Sequence, residues 1–381
     1  MQRSLIPIFS FALIFLVSSV HLSAQTAKPS PTPTPELKVE TQDQVRVFTE
    51  EVRLPVLATD AQGHYDPALE IDDVLVLEDG MPQTVRSVRH IPASVLLILD
   101  TGGDANGLSG LSKKTSITKA VALKIIGRLR EGDRIAVLQS SDRAEVLQHW
   151  TDDVDQVVHV LTTKLFAGNR SRIFETMIRA AQMLAEQPEG SRHVVLVTDG
   201  VETPGGKVSL DQALKQVLAV RATVHVISYT TFVRQKSDQH DVKLATKNNP
   251  IAHDPVIAND PALPPGVNRG GPTFGVGITF DPAMRRVRKA YEADTKKSER
   301  WLTGLAEETG GRIFLPKSTD EMIAQSEEVA REIGAEYVVT YRPKRPLAEA
   351  RPGEYRKIEV ASRRVGLYLR SRRGHIAPNP Q

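Results

Sequence analysis

The stretch VLLILDTGGDANGLSG, residues 95–110, sets an apolar run against Asp100, two glycines and Asp104. Carboxylates on a tight turn are oxygen donors of the kind a hard divalent cation takes. Three readings stay open from these residues alone: a metal site, a broken metal site, or a solvated turn. A second run, HVVLVTDG, ends in Asp199 and Gly200. In an open α/β sheet, ligands bind beyond the carboxyl ends of strands, where the winding direction reverses. If the strand order is the common doubly wound one, Asp100 and Asp199 converge there from about a hundred residues apart.

The surrounding sequence alternates between strand and helix patterns. SVLLILD is continuously apolar, the mark of a strand buried on both faces. In TSITKAVALKIIGRLREGD, Ile117, Val121, Ile125 and Leu129 fall at four-residue spacing, a helical stripe stopped at Gly132. RIAVLQS and AEVLQHW are strands, DVDQVVHVLTTKL and RIFETMIRAAQMLAEQ helices, and TVHVISY a further strand. Ser209 with Gln212 and Ser318 with Glu321 form capping boxes before LDQALKQVLAV and DEMIAQSEEVAREIG. RWLTGLAEETGG is a helix with a glycine stop, and RIFLP is a strand. This alternation predicts a doubly wound, mostly parallel α/β sheet over residues 93–335.

Residues 231–297 interrupt the pattern with Pro, Gly, Asn and Asp and are predicted as a long loop insertion. MRRVRKAYEADTKKSER, inside and just beyond it, reads as an exposed helix of offsetting charges. Residues 38–92 are strand-like with an Asp79-Gly80 turn, a small antiparallel β unit. Residues 336–381 read as three strands that pair with that unit.

The amino terminus has Arg3, the apolar stretch LIPIFSFALIFLVSSV and Leu22-Ser23-Ala24, so residues 1–24 are predicted to be a secretory signal peptide. An uncleaved anchor is the alternative, and membrane contact is expected only through that segment. Residues 25–37 are a Pro/Thr-rich spacer. The expected location is secreted, periplasmic or cell envelope. With no cysteine in 381 residues, disulfides, Fe–S clusters and thiol chemistry are excluded. A formal charge of +3 with dispersed basic residues and 5% aromatics argues against nucleic acid as a partner.

Other chemistries fail on spacing. Gly107-Leu108-Ser109-Gly110 lacks the closing glycine of a nucleophile elbow. His240, His253, Asp254 and Asp260 have no metal-ligand spacing, and Gly205-Gly206 and Gly270-Gly271 no phosphate-loop continuation. No catalytic set is visible, and no enzyme is expected.

LLILDTGGD, the loop GNRSRIFET and VVLVTDG, in that order and spacing, resemble the von Willebrand factor type A domain. The flanks ATDAQGHY…VLVLEDGMPQTVRSV and EYVVTYRP…GEYRKIEVASRRVGLYLRSRRGH look like those of secreted von Willebrand factor A-related proteins of Acidobacteria. The resemblance implies a metal-ion-dependent adhesion site for Mg²⁺ or Mn²⁺, facing a protein or surface polymer ligand. The family's first Asp is carried by Asp100, its first Ser is replaced by Gly102 and its second by Asp104. The loop Thr is replaced by Ser171, and the strand-four Asp is Asp199. Metal is therefore expected on Asp100, Asp104 and Ser171, with Asp199 through water. A carboxylate at 104 raises negative charge about the cation and weakens its pull on an incoming acid. With the cation abandoned, a metal-independent envelope scaffold is the alternative; an envelope hydrolase is a distant third.

Overall fold

A computed structural model describes residues 51–66, 68–103, 115–232, 234, 282–351 and 353–377. The predicted signal and spacer lie outside them. No helix among the described residues is long and apolar enough to cross a membrane.

The chain enters as β1 (Val52–Thr59), β2 (Val74–Glu78), β3 (Met81–Pro82) and β4 (Thr84–Arg89). Asp79 and Gly80 both take positive φ, 50° and 77°, closing the β2–β3 hairpin as their dipeptide predicts. The α/β layer follows: β5 (Ser94–Asp100), α1 (Thr115–Ile126), β6 (Arg134–Ser140), β7 (Ala144–Thr151), α2 (Val154–Thr163), α3 (Ile173–Ala185), β8 (Arg192–Thr198), α4 (Leu210–Ala219) and β9 (Thr223–Ser228). Then come α5 (Pro282–Glu308), β10 (Ile313–Phe314) and α6 (Thr319–Ala335). The chain closes with β11 (Tyr337–Arg342), β12 (Tyr355–Ser362), β13 (Tyr368–Ser371) and β14 (Gly374–Ile376).

Six strands make one sheet in the order β10-β9-β8-β5-β6-β7, all parallel except the antiparallel edge strand β7. β5 lies between β6 and β8, so the winding reverses at its carboxyl end, the doubly wound order expected from sequence. Along β5 the side chains alternate. Val95, Leu97 and Leu99 pack with α1, α2 and α6 on one face, while Leu96 and Ile98 pack with α3, α4 and α5 on the other. All seven β5 residues are buried, which is why that strand reads as unbroken apolar sequence.

The N- and C-terminal strands form two further four-stranded sheets, β13-β1-β11-β4 and β14-β12-β2-β3, around Leu54, Val56, Val76, Val339, Tyr341 and Ile358. β1 pairs with β11 and β13, and β12 with β2, as the small antiparallel unit requires. This sandwich joins the parallel sheet at its amino end. β4 runs into β5 across four residues, and Gly190, just before β8, packs on Val338 and Arg53.

Three expectations change. The closing stretch makes four strands, because Gly374 starts a short β14 that returns along β12. The helix read over residues 284–300 is present as part of α5, but it starts at Pro282 inside the expected loop insertion and is not exposed throughout, since Thr295 and Ser298 are buried. Helix α1 ends at Ile126; Gly132, at φ 89°, belongs to the turn that follows.

Candidate functional site

Asp100 and Asp199 stand together at the carboxyl edge. Register pairs Leu99 with Val197, which sets Asp100 beside Thr198 and one residue from Asp199. Both aspartates are buried. Asp100 Oδ2 accepts from the Thr198 hydroxyl at 2.6 Å, and Oδ1 from the Ser171 hydroxyl at 3.0 Å and the Gly102 N–H at 3.2 Å. Asp199 accepts from the Val201 N–H at 3.0 Å through Oδ1 and from the Tyr291 hydroxyl at 2.7 Å through Oδ2. Beneath them the buried Tyr229 donates its hydroxyl to the Asp100 carbonyl at 2.7 Å. Burial and the nearby Asp100 and Asp199 charges push that phenol well above its ordinary pKa.

Ser171 arrives on the α2–α3 loop, which is stitched to two neighbours. Gly103 N–H donates to the Gly168 carbonyl at 2.8 Å and Gly168 N–H to the Thr101 carbonyl at 3.0 Å, a two-bond bridge to the β5–α1 turn. Ser171 N–H donates to Thr203 Oγ1 at 2.8 Å, and Thr203 N–H returns to the Ser171 carbonyl at 3.1 Å. Gln139, buried on β6, donates to the Thr101 hydroxyl at 2.6 Å and to the Phe166 carbonyl at 2.5 Å. The loop is closely fitted at Gly102, where a Cβ would stand 2.6 Å from Ser171 Cα.

Of the four residues singled out, the structure brings Asp100, Ser171 and Asp199 to one rim. Asp104 lies outside the described residues, as do Gly107–Gly110, His240, His253, Asp254, Asp260 and Gly270-Gly271. Sequence reasoning passed over Thr198, Thr203 and Tyr291. The first two flank the Asp-Gly turn in VTDGVET, where short hydroxyls next to a strand-end carboxylate are the available signal. Tyr291 lies on the same face of α5 as the buried Thr295, Ser298 and Leu302.

Carboxylate and hydroxyl oxygens from three separate segments suit Mg²⁺ or Mn²⁺ in donor type. Among the described residues no three His, Cys, Asp or Glu side chains gather as a group that could hold a metal ion.

Residues 95–202 match the family model described as von Willebrand factor type A domain. The chain carries a von Willebrand factor type A domain. The matched span runs from β5 past β8 and so contains Asp100, Ser171 and Asp199. No curated protein matches the sequence. Among solved structures the chain is similar to a von Willebrand factor type A protein from Catenulispora acidiphila, at 12% identity and a TM-score of 0.41, over 83% of this chain and 76% of that one. It is also similar to an aerotolerance-related membrane protein from Bacteroides fragilis, at 15% and 0.36, over 64% and 98%. A third is the manganese-loaded TRAP protein of Plasmodium vivax, at 14% and 0.28, over 41% and 61%. Within the matched span the packing at Gly102 admits no larger residue without displacing the Ser171 loop.

Proposed function

We propose that the protein is an exported interaction module of the secreted von Willebrand factor A-related kind, recognising a protein or surface polymer at the carboxyl edge of its six-stranded sheet. The observation that carries this reading is the convergence of Asp100, Ser171 and Asp199 at the winding reversal, where open α/β sheets bind their ligands. Type A domains generally act by binding, and the residues gathered at this rim include no nucleophile–base pair. The signal-like residues 1–24 and the Pro/Thr-rich spacer support a secreted, periplasmic or envelope location.

The rim works as a degenerate metal-ion-dependent adhesion site. Asp100 and Ser171 hold Mg²⁺ or Mn²⁺, Asp104 adds a carboxylate from the β5–α1 turn, and Asp199 acts through water. The bound cation supplies the positive potential toward which an oxygen of the partner turns. The test is thermal unfolding in EDTA and then in excess Mg²⁺ or Mn²⁺. A ligand that binds the native state raises its midpoint. A rise of several degrees abolished by Asp100→Ala is expected; identical midpoints in all conditions count against the cation.

The fit at Gly102 favours a second reading, in which the same rim and loops bind the partner with no cation. Capture of the partner that persists unchanged in EDTA and in Asp100→Ala selects this reading over the first.

A further inference from the structure

Helix α5 carries a contact that reaches the rim from outside the strand-end loops. Tyr291, Thr295, Ser298 and Leu302 recur at spacings of four, three and four, one face of a helix. Thr295 and Leu302 are fully buried, and Ser298 nearly so. The Tyr291 hydroxyl donates to Asp199 Oδ2 at 2.7 Å; two turns on, the Ser298 hydroxyl donates to the Gly200 carbonyl at 2.8 Å. Gly200 sits at φ 69°, and a Cβ there would come within 2.9 Å of Leu302 and 3.0 Å of Ser298 and Trp301, so the helix lies directly on the turn after β8. Glu299 fastens it further, accepting from Thr230 at 3.2 Å and from Arg234 at 2.6 Å.

The turns around Leu302 and around Tyr291 are held unequally. Leu302, Leu305 and Ala306 are embedded in the apolar layer on one face of the sheet. Around Tyr291, in contrast, Lys289, Ala290, Glu292, Ala293 and Asp294 are all exposed. The turns around Leu302 anchor the helix, and Tyr291 packs its ring on the apolar layer of the other face and ties its own turn to a carboxylate of the rim through its hydroxyl.

We propose that Tyr291 is an intramolecular latch: its hydrogen bond to Asp199 competes with engagement of that carboxylate by a divalent cation, so occupation of the rim loosens the turn of α5 that carries Tyr291. This inference rests on the cation reading above. A carboxylate oxygen that already accepts the phenol hydrogen bond is a poorer acceptor for a metal-bound water, and a turn with exposed residues on either side of its one half-buried tyrosine is held by fewer contacts than the turns around Leu302.

The test uses the full chain, wild type and Tyr291→Phe, with Mn²⁺ alone as the probe. Apparent affinity is read from the midpoint shift, and hydrogen–deuterium exchange is followed over residues 286–294. Tyr291→Phe is expected to bind Mn²⁺ about tenfold more tightly, equivalent to ~1.4 kcal/mol. Mn²⁺ is expected to raise exchange over that segment in the wild type. Equal or weaker Mn²⁺ binding by Tyr291→Phe, or unchanged exchange in a wild type that binds Mn²⁺, overturns the latch and leaves the cation site standing. A Mn²⁺ response in neither protein, both folded, removes the cation reading and the latch with it.

Discussion

Gly102 lies so close to Ser171 that a Cβ on the glycine would stand 2.6 Å from the serine Cα. Real Cβ atoms do not approach backbone so closely, and the obstruction is backbone, which cannot rotate aside. The serine of the family pattern therefore cannot be reinstated on this backbone as it stands. Gly102→Ser is expected to lower stability by about 1–3 kcal/mol, the usual cost of overpacking, and to leave Mn²⁺ affinity no better than that of the wild type. Denaturant unfolding with a Mn²⁺ titration of the same sample checks both. A variant of unchanged stability that binds Mn²⁺ more tightly would show that the loop yields and that the site had only lost a ligand.

Thr198 is expected to matter to the rim although it is none of the carried-over site residues. Its hydroxyl donates to Asp100 Oδ2 at 2.6 Å while accepting from the Gly200 N–H at 2.8 Å, all three residues being buried. Valine keeps the shape and loses both bonds. Hydrogen bonds to charged groups contribute about 1.5–3 kcal/mol, so Thr198→Val is expected to destabilise by about that amount and Thr198→Ser by much less. Chemical denaturation of the two variants decides it, and a valine variant within about 0.5 kcal/mol of wild type sinks the argument.

Why some of this was legible in the sequence and some was not follows from the same contacts. Strand β5 announced itself because burial on both faces leaves only apolar residues between Ser94 and Asp100. The helix starts were readable because capping is local: Ser209 and Gln212 exchange the expected pair of bonds. At Ser318 the hydroxyl accepts from Glu321 N–H, but the Glu321 carboxylate turns to Lys317 N–H, one residue before the expected one. The convergence of Asp100 and Asp199 followed from winding order, a rule about connections that needs no side-chain detail. What stayed hidden depends on distant partners. Nothing local to Gly102 reveals that the Arg170–Ser171 backbone lies against it, and the exposed charges of α5 mask a buried stripe that runs through Tyr291, Thr295 and Ser298 before it reaches Leu302.

Below the sheet, where the sandwich meets the strands' amino ends, a group of buried histidines sets the pH response. His193 Nε2 lies 3.4 Å from Glu336 Oε1, and His225 Nδ1 3.5 Å from Glu332 Oε2. Glu332 is also bound by Arg312 at 2.9 Å and by Arg370. Burial lowers His193, His225 and His375 to about 3, helped by His225 for the first and by nearby arginines for the other two. Burial raises Glu336 to about 8 against the pull of Arg370 and Arg372. The signs oppose. The unfolded histidines take protons below about 6.5 that the folded ones refuse, so stability falls as pH drops from about 6.5 toward 3. Folded Glu336 keeps a proton that the unfolded chain releases above about 4.5, so stability also falls as pH rises toward 8. Unfolding midpoints are expected to peak near pH 6.5. Glu336→Gln should flatten the alkaline limb and leave the acid limb in place. A profile without a maximum, or an alkaline limb unaltered by that substitution, contradicts the assignment.

The sandwich is locked by a charge pair wholly removed from water. Arg356, on β12, donates to Glu78 Oε1 on β2 at 2.7 Å and to the carbonyls of Arg345 and Pro346 at 2.8 and 2.9 Å. Tyr341, on β11 of the facing sheet, donates to Glu78 Oε2 at 2.9 Å. The guanidinium thereby ties the loop before β12 to both sheets, and none of its surface is exposed. Breaking such a pair from one side strands a buried charge and costs about 3–5 kcal/mol, more than the pair itself contributes. Glu78→Leu alone is therefore expected to destabilise by about that amount. Adding Arg356→Met, which removes the stranded charge and keeps apolar volume, should restore a large part of it. A double variant as unstable as the sum of its two single variants would mean that the pair organises the loop at residues 345–350 through its carbonyl bonds, and that charge burial is not what governs the loss.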